Sequence, residues 1–341
     1  MQAAARGSSA SAANALTEPL RVMLAGLSPG TRIAVGLSGG PDSFALACCA
    51  APLAQGLGLA LHGFHVHHGL LAQADAWAAQ ARALGVHLGC PVHVARVDVT
   101  GVAALGMEAA AREARYAALA DLASTHGVGI ILLAHHQDDQ AETVLLRLLR
   151  GTGPEGLAAM ARQSERGGLA YWRPWLDVPR SRIVPLAQAC AEQYGVPLAD
   201  DPTNLDPRYT RAALRVQLAP VLDERWRGWR SILARHARLA AQQAEILAEV
   251  AHADLQALDL AEDGSFALAR WRELSTARQA HVFRYWLQTR GAMMPTEARL
   301  NDMLRQLRQL HALGHDRKMS VRHGEWVVSC VRGRVRLLPH E

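Results

Sequence analysis

Ile33-Ala34-Val35-Gly36-Leu37-Ser38-Gly39-Gly40-Pro41-Asp42-Ser43 is the stretch that decides the fold. Ile33, Ala34, Val35 and Leu37 form a short apolar run among glycines, the pattern of a strand buried in a parallel sheet. Ser38-Gly39-Gly40-Pro41 predicts a turn, and Asp42-Ser43-Phe44-Ala45-Leu46-Ala47 opens a helix. A strand, a glycine-rich turn and a helix N-terminus present outward N–H groups and the positive end of a helix dipole. That combination suits an anion.

A Walker loop would need a lysine on the β/γ-phosphates. The chain's one lysine is Lys318, far from the turn. Ser38-Gly39-Gly40-Pro41-Asp42-Ser43 instead resembles the SGGxDS pyrophosphate loop of the N-type ATP pyrophosphatases. The resemblance implies that ATP is cleaved between its α- and β-phosphates, that a carbonyl oxygen is adenylated, and that a nucleophile then displaces AMP. In that reading Gly39 and Gly40 let the backbone approach the pyrophosphate, and Ser38 and Ser43 add hydroxyl donors. Asp42 repels a bare phosphate, so it calls for a bridging Mg²⁺. On the residues alone, an ordinary tight turn capped by Asp42 is the competing reading.

Outward from this turn the chain alternates strand and helix. A short amphipathic helix is expected from Thr17 to Leu27. Strands are expected at Leu59–Val66, Val92–Val97 and Gly129–Leu133. Helices are expected at Phe44–Leu53, Ala72–Leu88, Glu108–His126 and Gln137–Arg150. This predicts an α/β fold, a doubly wound parallel sheet that binds ligands at the carboxyl ends of its strands. The second strand ends in His65-Val66-His67-His68, where a ring edge facing the nucleotide, a metal role and plain capping all compete. The fourth ends in Ala134-His135-His136-Gln137-Asp138-Asp139-Gln140-Ala141-Glu142. Asp139 and Glu142 share a helix face, as do Asp138 and Glu142. Acids in a first turn complement the dipole, but two histidines and three acids exceed what a cap needs. Such a pocket suits a cation, a metal or a substrate ammonium. Arg112 and Arg115 are read either as a solvated ladder with Glu108 or as a support for phosphate. Tyr171-Trp172-Arg173-Pro174-Trp175 is read either as a base-stacking strip or as core. After Trp226 long helices are expected at Trp229–Leu258, Arg270–Thr289 and Pro295–Leu313, then a terminal hairpin.

Length and composition set the bounds. With 341 residues, 50% hydrophobic and 20% charged, the chain has room for two domains and a full core. No run reaches the apolar length of a membrane helix. The first residues, MQAAARGSSASAAN, lack an apolar segment and read as a disordered leader rather than a signal peptide. Five scattered cysteines without a CxxC imply neither a disulfide framework nor a zinc site, and fit a reducing cytoplasm. Of the 36 Lys+Arg and 31 Asp+Glu, 19 and 12 fall from Arg225 onward, leaving +7 there and −2 before it. A basic C-terminal third hints at a polyanionic partner, nucleic acid being the usual one. The expected division is a leader at 1–16, a catalytic domain at 17–224 and a smaller, mainly helical domain at 225–341.

Taken in order, SGGPDS, HVHHGL, EAAAREARY, AHHQDDQAET, LLRGTGPEGLAAM, RPWLDVPRSRI and DPTNLDPRYTRAALR resemble the tRNA(Ile)-lysidine synthetase family. The match is close over about residues 31–216 and loose beyond. The resemblance implies that ATP adenylates the C2 carbonyl oxygen of the wobble cytidine in the CAU anticodon of tRNA(Ile). Free L-lysine then attacks C2 and expels AMP, leaving lysidine and moving decoding from AUG to AUA. It further implies that Asp42 helps hold Mg²⁺ and that Arg112 supports the phosphates. Asp139 and Glu142 hold the lysine beside His136, and Ser38, Gly39, Gly40, Pro41, Asp42, Ser43, His65, His68 and Arg112 bind the nucleotide. A cytoplasmic enzyme without a membrane partner is implied, and a homodimer is compatible with the family. The chain departs from the family at Ala212, where asparagine is usual, and at Leu71, where a basic residue is common. It is also shorter than three-domain members. A thiolating relative would need catalytic cysteines, yet Cys48 and Cys49 sit inside a helix. A non-catalytic ATP-binding module would need the turn but not the AHHQDDQAET cluster.

Overall fold

The computed structural model describes residues 14–69, 72–100, 106–310 and 318–340. The leader up to residue 13, and Leu71, lie outside them. The chain divides into two compact units at Ala240/Ala241.

The first unit is built on a six-stranded sheet in the order β3-β2-β1-β4-β6-β5. Its strands are β1 (Arg32–Gly36), β2 (Ala60–His67), β3 (Val92–Arg96), β4 (Ile130–Leu132), β5 (Gln163–Arg166) and β6 (Leu169–Trp172). All neighbours are parallel except the edge pair β5–β6, which forms a hairpin. The doubly wound parallel sheet expected from the alternation is therefore present, with one antiparallel strand added at its edge. Period-two alternation decides which side each residue serves. Ile33 and Val35 join one core cluster with Leu46 and Trp175, while Ala34 joins Phe64, Ile131 and Tyr116 on the opposite face.

Chain order reverses around β1, which pairs with β2 on one side and β4 on the other. The carboxyl ends of β1 and β4 are thus the switch point at which such sheets bind ligands. β1 runs into the Ser38–Gly40 turn and the helix Pro41–Gly56, and β4 runs into His135-His136 and the helix Gln137–Leu148.

Helix 14–24 starts before the expected Thr17 because Leu16, Leu20 and Leu24, spaced four apart, form a stripe that is fully buried. Trp175 is fully buried and its indole donates to the Leu16 carbonyl at 2.9 Å. Tyr171 is buried too, so the core reading of this aromatic stretch holds and the stacking strip does not. The segment that carries Arg211 and Arg215 forms an α turn (Thr210–Ala213), a π-helical turn (Leu214–Leu218) and a further helix (Ala219–Arg225). The units part later than the change of pattern near Pro220–Arg225, inside the helix Trp229–Ala257. Trp229 is packed with Ala141, Leu214 and Ala219, which draws that helix's start into the first unit.

The second unit holds the helices Leu268–Glu273, Thr276–Thr289 and Glu297–Gln309 and an antiparallel sheet, β7-β10-β9-β8. Its strands are β7 (Phe266–Ala267), β8 (Met319–His323), β9 (Trp326–Val331) and β10 (Arg334–Pro339). Ser275 breaks the single helix expected over Arg270–Thr289 by capping Arg278 N at 3.4 Å. Phe266, Trp271, Phe283 and Trp286 centre its core.

Candidate active site

The turn after β1 is held from within. Ser43 is buried, and its hydroxyl donates to the Gly40 carbonyl at 3.1 Å while accepting from Ser38 N at 3.1 Å. Ser38 Oγ lies 3.1 Å from Ser43 Oγ and accepts from Gly40 N at 3.4 Å. The serines expected to reach a phosphate therefore first shape the turn that would receive it. Gly39 has φ +88°, and a Cβ there would lie 3.1 Å from Ala199 Cβ. Its carbonyl accepts from Ala199 N at 3.0 Å. Pro41 starts the helix, where its missing N–H costs nothing.

Asp42, in the first turn of that helix, faces the residues after β4. Its Oδ1 lies 3.7 Å from His136 Nε2, and Arg180 Nε donates to both oxygens at 3.2 and 3.3 Å. His136 is the N-cap of the helix Gln137–Leu148. Its Nδ1 accepts from Asp139 N at 3.3 Å, and its own N donates to Asp139 Oδ2 at 3.2 Å, a reciprocal capping box. The imidazole thus lies 3.4 Å from Asp139, 3.7 Å from Asp42 and 4.0 Å from Asp138. Burial works against its protonation. The Asp42 hydrogen bond and the three carboxylates outweigh that and hold its pKa above the usual histidine range. Burial likewise raises the Asp42 carboxyl, but His136 and Arg180 more than reverse it and hold it below the ordinary value.

Asp139 and Glu142 meet a third partner. Arg215, on the π-helical turn, donates to Glu142 Oε1 at 2.6 Å and Oε2 at 2.9 Å, and approaches Asp139 Oδ1 at 3.4 Å. Asp138 accepts from Arg180 N at 3.0 Å and pairs with Arg230 at 2.9 Å. The acids and His136 expected at the site are therefore gathered on one edge with Asp42.

The basic residues form a neighbouring group. Arg112 donates to the Tyr116 hydroxyl at 3.4 Å and lies over that ring. Arg211 reaches Thr143 Oγ1 at 3.3 Å and Glu108 at 3.5 Å. Burial and the positive charge of Arg112, Arg211 and Arg150 lower the pKa of Arg147. His135 is pushed down to about 3 by burial, with Arg173, Arg211 and Arg112 adding to it and Asp139 opposing. Its Nδ1 is buried without a hydrogen-bond partner. His68 shares that condition, its Nδ1 buried and unpartnered, its pKa lowered to about 4 by burial and then by Arg115. Like charges are thus crowded around two neutral imidazoles, which is unfavourable by itself. His65 takes a different place: its Nδ1 lies 2.8 Å from the Leu37 carbonyl, so it anchors the end of β1.

Arg180, Arg215 and Arg230 are the partners that reading by stretches missed. They lie far along the chain from the acids they meet, and only the packing of three separate helices brings them in. The RPWLDVPRSRI and DPTNLDPRYTRAALR segments carry the first two. Ala212, beside Arg211, is buried.

Among the described residues no group of three or more His, Cys, Asp or Glu could hold a metal ion, so Mg²⁺ would need phosphate oxygens of a bound nucleotide beside Asp42. Asp42 offers a hard carboxylate beside a phosphate-binding turn, and one or two carboxylates with phosphate oxygens are what that ion takes.

Comparison with known proteins identifies the family of each region. Residues 10–222 match the ATP-binding PP-loop domain, and residues 266–336 match the TilS substrate binding domain. A tRNA(Ile)-lysidine synthase from Bordetella parapertussis is 60% identical over 323 residues, covering 94% of each chain. One from Bordetella pertussis is 62% identical over 305 residues, covering 89% of this chain and 95% of that one. The U34-tRNA thiolase NcsA from Methanococcus maripaludis, with its [4Fe-4S] cluster, shares the fold at a TM-score of 0.55 and 15% identity, over 67% of this chain and 78% of that one. With an ATP-binding turn, an acidic recess beside it and relatives of this identity over most of its length, the chain belongs to the tRNA(Ile)-lysidine synthase family.

Proposed function

We propose that this protein joins free L-lysine to C2 of the wobble cytidine in the CAU anticodon of tRNA(Ile), converting ATP to AMP and pyrophosphate. One observation carries the reading. His136 lies between Asp42 of the nucleotide turn and Asp139 of the acidic recess, at 3.7 and 3.4 Å, so nucleotide and amine would share one chamber.

In this reading the N–H groups of the Ser38–Gly40 turn and the helix dipole hold the polyphosphate. Arg112, with Arg211 and Arg147 beside it, takes up charge on the departing pyrophosphate. Asp42 would hold Mg²⁺, which neutralises phosphate charge. The cytidine O2 attacks the α-phosphorus, and the bond to pyrophosphate breaks. Asp139 and Glu142 hold the lysine and accept the proton that its ε-ammonium must lose. The neutral amine then forms the C2–N bond, the C2–O bond breaks, and the oxygen leaves on AMP. Adenylation is needed because oxide is a poor leaving group and AMP a good one. The C-terminal third from Arg225 onward, with its basic surplus, grips the tRNA. The reaction belongs in the cytoplasm with the tRNA pool. No described helix is long and apolar enough to cross a membrane.

The test is mass spectrometry of nucleosides from tRNA(Ile) incubated with protein, ATP and lysine. Lysidine is expected only when all are present. Sulfur incorporation, or ATP binding without any new nucleoside, would overturn the proposal.

A further inference from the structure

We infer that Arg215 is the resident occupant of the amine recess, that an incoming amine exchanges with it at Glu142, and that the displaced guanidinium then pairs with a carboxylate on the same incoming molecule. Arg215 thereby becomes a specificity-determining residue that selects an amino acid over a plain alkylamine. The inference rests on the reading of Asp139 and Glu142 as the acids that hold the amine.

Three observations carry it. The first is occupancy. Both oxygens of Glu142 already accept from Arg215, at 2.6 and 2.9 Å. Asp139 divides its oxygens between Arg215 at 3.4 Å and the His136 backbone N–H at 3.2 Å. The second is the order of exposure. The Glu142 and Asp139 side chains are 7% and 13% exposed, whereas Arg215 is 34% exposed. Arg215 is the outer member of the group, so an ammonium coming from solvent meets it before it meets Glu142. The third is charge. Asp42 faces Arg180, Asp138 faces Arg230, and Asp139 and Glu142 share Arg215. Each acid of the recess already has an arginine beside it, so a further cation gains less there than at free carboxylates unless one arginine leaves.

Arg215 sits on an element suited to leaving. Leu214–Leu218 is a π-helical turn set between α-helical residues on both sides. Such a turn carries a surplus residue, and passing it along the helix rotates the side chains it crosses by about 100°. Ala212, Leu214 and Ala219 are buried around the turn and would keep the segment seated while Arg215 swings. A guanidinium displaced from Glu142 gives up two charge-assisted hydrogen bonds, and that is costly. A ligand that brings its own carboxylate removes that cost, and a fork-shaped guanidinium grips a carboxylate through two parallel bonds. A diamine without a carboxylate has to displace Arg215 and leave it unpaired.

Lysine and its decarboxylated form, 1,5-diaminopentane, separate these cases. Calorimetric titration of each into the whole protein should show the diamine binding about a hundredfold more weakly than lysine, the scale of a lost charge-assisted pair. In Arg215→Met the gap should shrink to about tenfold or less, and the diamine should bind more tightly than it does to the unsubstituted protein, because its competitor is gone. Arg215→Lys, whose compact ammonium lacks the fork, should narrow the gap as well, and it serves if the methionine variant does not fold. An unchanged lysine-to-diamine ratio in the substituted proteins would overturn the carboxylate role. Diamine binding no tighter in Arg215→Met would overturn the occupancy. Lysidine formation by the unsubstituted protein is followed in parallel. If lysidine forms while the ratio stays fixed, only this inference falls; if none forms, the reading beneath it falls.

Discussion

The imidazole of His136 and the carboxylate of Asp42 lie 3.7 Å apart, and this approach joins the turn after β1 to the helix after β4. Neither residue could do so from its own element. The parallel pairing of Ile33 with Ile130 and Val35 with Leu132 brings the two strand ends side by side. The sheet register thus positions the pair, and the capping box fixes the ring.

Stability should carry the signature of that imidazole. Burial lowers its pKa, but Asp42, Asp139 and Asp138 outweigh burial, so the folded value stands above the reference of 6.5. The folded chain then binds the proton more tightly than the unfolded one. The contribution is complete below about pH 6.5 and fades as pH rises through the folded value. His68 and His135 have lowered pKa values and oppose folding as pH falls, so the total curve mixes the two trends. The difference between the unsubstituted protein and His136→Gln isolates the first. Its Tm gap should be widest below about pH 6.5 and shrink as pH rises through the raised folded value. A gap independent of pH would show that the ring is held neutral, its Nδ1 kept as the acceptor from Asp139 N.

Gly39→Ala tests the turn. The residue has φ +88°, and its Cβ would press on Ala199 at 3.1 Å. The backbone term alone costs about 1–2 kcal/mol, and the chain would relieve it by shifting the Ser38–Gly40 backbone. We expect a Tm loss of a few degrees together with loss of ATP binding by equilibrium dialysis. Full ATP affinity with normal stability would mean that the turn does not need this conformation.

Much of this was legible in the sequence, for physical reasons. β1 and the turn could be read because a strand buried on both faces is continuously apolar and a positive φ demands glycine. The expected helix Glu108–His126 ends where Gly127 takes a left-handed C-cap. The β5–β6 hairpin was not legible, since Gln163–Arg166 is a polar edge strand without alternation. Nor was the pairing of Arg215 with Glu142, because pattern reading is local and this contact depends on how the helix after Tyr209 docks on the one after β4. The Tyr171–Trp175 ambiguity was real: aromatic composition alone cannot tell a stacking strip from core, and burial decides it.

Trp175 gives a test of that core. It is fully buried, and its indole N–H is committed to the Leu16 carbonyl at 2.9 Å. Trp175→Ala should cost about 3–5 kcal/mol. Trp175→Phe keeps most of the packing but orphans the carbonyl, for about 1–3 kcal/mol. Urea unfolding measures both, and equal losses would mean that the hydrogen bond adds nothing.

Glu142→Gln should separate amine binding from adenylation. The substitution keeps the volume and removes the charge that both an ammonium and Arg215 use. The lysine KM should rise about tenfold or more, with pyrophosphate release at saturating lysine little changed. An unchanged KM would place the amine elsewhere.

Arg112 belongs to the group whose like charges crowd Arg147 and His135. Crowding of this kind is unfavourable in the unliganded chain, and a bound polyanion would relieve it. Two polyanions meet in the proposed reaction, the polyphosphate and the tRNA backbone. Arg112 sits in the first half of the helix Met107–His126, on the same side as the His135 end of β4, and so we assign it to the polyphosphate. Arg112→Ala should slow pyrophosphate release at saturating ATP by about ten- to a hundredfold, within the range for losing one donor to developing charge. The dependence of tRNA binding on salt should stay the same. The opposite pair of results, unchanged release with a salt slope smaller by about one, would move Arg112 to the tRNA phosphates.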